Sequence, residues 1–187
     1  MDKDCDLHLS ERLRGILDQI EHCDKPHAQA VNLLAVSKQQ SADRIQALYE
    51  LGQRDFGENY LQEALTKIKV LEDLEISWHF IGQIQSNKTR DIAQYFDWVH
   101  SVDRYKVAKR LSEQRSPANS KLNICLAVNI DQEPSKSGFT QEQLLDEVRD
   151  IASLPHINLR GLMAIPKITD DSELQRIPYQ KLYQLQT

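Results

Sequence analysis

Cysteine is scarce in this chain and badly placed for covalent or metal chemistry. Cys5, Cys23 and Cys125 are odd in number and widely spaced, and none has a CxxC partner. No disulfide framework and no zinc site is indicated, and reduced cytosol is the simplest compartment. Cys125 lies in an apolar run and reads as a buried thiol. Long hydrophobic runs are missing as well: none approaches the roughly 18 residues that span a bilayer. The opening "MDKDCDLHL" is acidic and polar, without the apolar stretch of a secretory signal. Blocks of like charge are absent and the formal net charge is −5, which argues against a dedicated nucleic-acid binder. Neither a GxGxxG nor a GxxxxGK[ST] phosphate loop occurs, which disfavours a dinucleotide-binding fold or a P-loop NTPase.

What is present is ordinary globular material, 40% hydrophobic and 27% charged over 187 residues, enough for one domain with a real core. Leu13, Ile16, Leu17 and Ile20 fall at i, i+3, i+4, i+7 and predict an opening helix, broken around Pro26. A pattern then recurs: a short strand-like run ends on polar residues and an amphipathic helix follows. The strand candidates are "NLLAVSK", "RDFGEN", "SWHFIGQI", "DWVHSVD", "LNICLAVNID" and "LRGLMAIP". Helices are expected to begin near Ser41, Asn59, Asn87, Asp103, Thr140 and Asp171. Ser41 suits an N-cap, and Thr140 with Gln143 matches a capping box. Several strands are apolar nearly throughout, as strands buried on both faces of a parallel sheet are. Strands alternating with helices make this an α/β protein. The architecture expected is the (β/α)8 TIM-barrel type, whose working groups sit at the C-terminal strand ends.

Those ends form one series: Lys38; Glu58 and Asn59; Gln83 to Asn87; Ser101 and Asp103; Asn129 and Asp131; Met163 to Lys167. In a parallel barrel they share a rim. Each also has a plainer reading, because strand ends are exposed and polar in any α/β protein. Lys38 could be a solvated strand end, Asn59 a helix cap, His79 and His100 hydrogen-bonded core histidines, and Met163 core packing. Lys136, in "EPSKSGF", reads most simply as a solvated loop tip, and is a second candidate amine if that loop lets it reach the rim. An amine attacks a carbonyl only when deprotonated, and an apolar wall such as "LLAV" disfavours the charged form.

The segments "LLAVSK" (33–38), "FGENYLQEA" (56–64), "WHFIGQIQSNK" (78–88), "VHSVDR" (99–104), "SKSGF" (135–139) and "RGLMAIP" (160–166) resemble, in order, the pyridoxal 5'-phosphate homeostasis proteins. These are related to the N-terminal barrel of alanine racemases, and the resemblance runs from about residue 10 to 170. It implies one cytoplasmic, monomeric barrel domain over 1–187, preceded by a helix, with pyridoxal 5'-phosphate held as a Schiff base on Lys38. Asn59, His79 and Met163 would lie beside the cofactor ring. It implies a vitamin B6 carrier rather than a catalyst, with pyridoxal-phosphate-dependent apo-enzymes as recipients; the net charge and the short apolar runs give the expectation of no nucleic-acid and no membrane partner. Two other readings stay open: a racemase or Schiff-base aldolase on the same barrel, which needs a second base not evident here, and a remnant that binds nothing. Only about six of the eight βα units are recognisable, and the segments that in the family hold the cofactor phosphate are not among them. Weaker binding than in a complete barrel is therefore expected.

Overall fold

The computed structural model describes residues 3–23, 30–131, 133 and 136–186. The break around Pro26, and Pro134 and Ser135 of the 133–139 loop, lie outside them. The chain divides into two compact units at Ser77/Trp78.

The first unit runs α1 (Lys3–His22), β1 (Ala35–Val36), α2 (Ala42–Glu50), β2 (Asp55–Glu58) and α3 (Leu61–Val70). The two strands are parallel, with Ala35 opposite Phe56 and Val36 opposite Gly57. Phe56 and Ile45 are its most deeply buried large apolar side chains. β1 is far shorter than the seven-residue apolar run predicts. The Gln53 side-chain amide takes the Leu33 carbonyl at 2.8 Å, so a side chain occupies the acceptor a ladder would use. Ser41 caps α2 as expected, its hydroxyl accepting from the Arg44 N–H.

The second unit continues with β3 (Ser77–Phe80, beginning on the division), α4 (Thr89–Tyr95), β4 (Trp98–Val102), α5 (Tyr105–Gln114), β5 (Leu122–Ala127), α6 (Gln141–Ala152), β6 (Ile157–Met163) and α7 (Ser172–Gln186). β3, β4, β5 and β6 pair side by side, all parallel. Leu122, Ile124 and Leu126 on β5 are fully buried, while the alternate Asn123, Cys125 and Ala127 are only half-buried. The expectation of strands buried on both faces thus holds for one face of β5. The other carries small or polar side chains, with too little apolar bulk for a second tight layer. Among the described residues there are six strands, one for each predicted run.

The Thr140–Gln143 capping box forms reciprocally, at 3.2 Å and 3.0 Å. Thr140→Ala is expected to lower unfolding free energy by about 1 kcal/mol in urea titration, the usual loss for a capping hydroxyl. A loss under about 0.3 kcal/mol would show that the box is redundant.

Candidate functional site

Lys38 follows β1 on an exposed turn, and among the described residues its amine has no hydrogen-bond or ion-pair partner. The β1–β2 register ends at Val36 opposite Gly57, and Asn59 lies just past the end of β2. Asn59 does not cap α3: Tyr60 stands at that position and makes no side-chain cap bond. The Asn59 Oδ1 is instead buried and without a hydrogen-bond partner. Buried polar atoms are nearly always satisfied, so this oxygen is an exception it shares with Glu58 Oε2 and Gln114 Oε1 among the described residues.

Beneath this pair lies a charged cluster that the strand-end series catches only at Glu58. Glu58 is fully buried; its Oε1 accepts from Ser37 Oγ at 2.6 Å and from Lys67 Nζ at 2.7 Å, while its Oε2 has no partner. Lys67 also donates to the Ser37 carbonyl at 2.7 Å and to Glu63 Oε1 at 2.6 Å. The hydrogen bond from Lys67 holds the Glu63 carboxyl below its ordinary range, against an opposing effect of burial. In sequence, Glu63 and Lys67 look like any exposed i, i+4 pair. A glutamate closing the apolar "DFGE" strand was the available signal that a buried cation must stand opposite.

In the second unit the strand ends converge on a cleft of about 370 Å³. Gln83, Ser101, Asp103, Asn129, Asp131 and Met163 all line it, as the strand-end reading expects. Lys136 lines it too, and it is no solvated tip. Its amine donates to Glu133 Oε1 at 3.0 Å and to the Ile165 carbonyl at 3.1 Å. Asn129 closes this loop, donating to the Glu133 and Lys136 carbonyls and accepting from the Glu133 N–H. Gly138 lies at φ +135°, and a Cβ there would meet the Asn129 backbone nitrogen at 2.8 Å, so the turn requires glycine.

His79 is not on the cleft. It is buried in β3, stacked on Trp98 at 5.4 Å between ring centroids, with Nδ1 at 2.9 Å from His100 Nε2. Burial first, then the neighbouring His79, depress the His100 pKa to about 4. His79 therefore has the surroundings of a core histidine, and His100 is half-buried against it. Burial pushes the Cys125 thiol up to about 11, only partly offset by Arg160, so this cysteine is a protonated, poor nucleophile at neutral pH. Among the described residues, no group of three or more His, Cys, Asp or Glu is placed to hold a metal.

The model of the alanine racemase N-terminal domain family matches residues 13–187. A pyridoxal phosphate homeostasis protein of Pseudomonas aeruginosa is 53% identical over 155 residues, which is 83% of this chain and 67% of that protein. Among solved structures, PipY of Synechococcus elongatus PCC7942 without pyridoxal phosphate superposes with a TM-score of 0.85 at 34% identity, covering 94% of this chain and 79% of PipY. The structure of PipY with pyridoxal phosphate bound gives 0.83 at 33% identity, over 95% and 79%. These likenesses make the six βα units part of a (β/α)8 barrel fold. The chain belongs to the alanine racemase N-terminal domain family and, within it, to the pyridoxal phosphate homeostasis proteins.

Proposed function

We propose that this protein binds pyridoxal 5'-phosphate through the Lys38 amine and serves in intracellular homeostasis of that cofactor. The observation that carries the reading is the unpartnered Lys38 amine on the exposed turn that follows β1. The residues suit the group: pyridoxal phosphate offers an aldehyde to an amine and, beside it, a phenolic oxygen that is ionised at neutral pH and accepts from a side-chain amide. PipY, solved with pyridoxal phosphate bound, adds support from a relative of the same fold. When bound, the cofactor supplies a carbonyl that amines can capture and a ring that withdraws electrons.

Lys38 supplies the attaching amine and Asn59 a side-chain amide that donates to the ring's phenolic oxygen. His79 and Met163, in the second unit, enter this proposal through the family resemblance alone. The role is storage and delivery rather than a reaction of its own, because Lys38 stands on an exposed turn that water and free amines reach. Apo-enzymes that require the cofactor are the proposed recipients, and a monomer in the cytoplasm is the proposed working form. No helix among the described residues is long and apolar enough to cross a membrane.

Titration of the purified protein with pyridoxal phosphate is expected to raise a visible absorbance band that Lys38→Ala abolishes. Asn59→Ala is expected to keep the band but weaken binding by roughly tenfold, the size of one lost hydrogen bond to a charged oxygen. An identical band in Lys38→Ala would overturn the assignment.

A further inference from the structure

The backbone on both sides of Lys38 is fastened to α3. On one side, Ser37 is held at three atoms. Its N–H donates to the Gly57 carbonyl at 2.9 Å, its hydroxyl to Glu58 at 2.6 Å, and its carbonyl accepts from Lys67 at 2.7 Å. On the other side, the Gln39 N–H donates to Glu63 Oε1 at 2.6 Å. Gln39 is also the one non-glycine residue among those described with positive φ, at +60°. Left-handed backbone costs a residue with a Cβ roughly 1–2 kcal/mol and persists only where the surroundings impose it. Two bonds hold the turn: the Gln40 N–H donates to the Ser37 carbonyl at 3.0 Å and closes it locally, and the Gln39 N–H reaches the Glu63 carboxylate, which Lys67 holds in place at 2.6 Å.

We propose that Glu63 is a positioning residue for Lys38: its carboxylate, anchored by Lys67, holds the Gln39 N–H and so fixes the turn from which the amine projects. This rests on the reading of Lys38 as the attachment point. Glu63 never touches the cofactor in this account. It acts by keeping one turn in one conformation, so that the amine is presented without a search over backbone states.

Glu63 is the right residue to test because its side chain is 30% exposed, and its loss leaves Lys67 paired with Glu58. Glu63→Gln keeps an acceptor for the Gln39 N–H, whereas Glu63→Ala removes it. Two readouts apply: hydrogen exchange at the Gln39 amide in the cofactor-free protein, and the rate at which the visible band grows after pyridoxal phosphate is added. Glu63→Ala is expected to speed exchange and slow attachment, each by roughly tenfold. Glu63→Gln is expected to return both to within about threefold of wild type, a rescue that a purely charge-based stabilising role would not give. A wild-type band that grows at the same rate in Glu63→Ala overturns the positioning role while leaving Lys38 as the attachment point. Failure of Glu63→Gln to rescue overturns it as well. Absence of the band in wild type removes the Lys38 reading, and the positioning role falls with it.

Discussion

Lys67→Met is expected to lower the folding free energy by about 3–5 kcal/mol, the range for removing one partner of a buried ion pair. The reason is Glu58. That carboxylate has no exposure, one oxygen already lacks a partner, and the other is held by Lys67 and Ser37. Without the ammonium, a buried negative charge keeps a single hydroxyl for compensation. A methionine fills much of the volume of the lysine stem, so the loss reports charge rather than a cavity. The exposed Lys109–Glu113 pair, at 3.9 Å, sets the contrast: breaking it is expected to change stability by less than about 1 kcal/mol. The double variant Glu58→Leu/Lys67→Met is expected to be more stable than Lys67→Met alone, because both buried charges then leave together. Urea unfolding of the four members of the cycle measures this. A loss below about 1 kcal/mol in Lys67→Met would mean that Glu58 is satisfied in some other way.

Acidification should weaken the second unit through His100. Its pKa is about 4 in the folded protein, because burial and the neighbouring His79 disfavour its charged form. In the unfolded chain it returns to about 6.5. Below that value the unfolded state binds the proton more readily, so stability is full above about pH 6.5, falls as pH drops, and levels off below about pH 4. The cumulative loss from pH 7 to pH 4 is on the order of 3 kcal/mol from this one group. Glu63 contributes in the same direction at the acid end, since its lowered pKa means stability lost as it protonates. His100→Phe separates the two, because it removes only the histidine part of the slope. Equal slopes between pH 7 and 5 in wild type and His100→Phe would contradict the account.

How much of this was legible in the residues follows from what each signal depends on. The six strand–helix units were legible because each apolar run ends on polar residues and a helical period follows. Thr140 with Gln143 was legible to the residue, since a capping box is a purely local device. β1 was not, because its length depends on what Gln53 does with the Leu33 carbonyl. The contact of His79 with His100 was out of reach for a related reason. His79 pairs in register with Trp98, so His100 sits diagonally two residues on, and no sequence pattern sets inter-strand register. Lys136 reads as a loop tip until Glu133 and the Ile165 carbonyl are seen beside it. Lys38 was the reverse case: its position at a strand end was plain, while the network of Ser37, Glu58, Glu63 and Lys67 around it needed three elements brought together.

The central claim is that Lys38 carries the cofactor, and the most direct test is to mark the lysine that does so. The protein, loaded with pyridoxal phosphate, is reduced with borohydride, digested and mapped by mass spectrometry. The account predicts a pyridoxyl phosphate adduct on the peptide containing Lys38, and none on Lys136, whose amine is already held by Glu133 and the Ile165 carbonyl. An adduct confined to Lys136, or no adduct at either lysine, would contradict it.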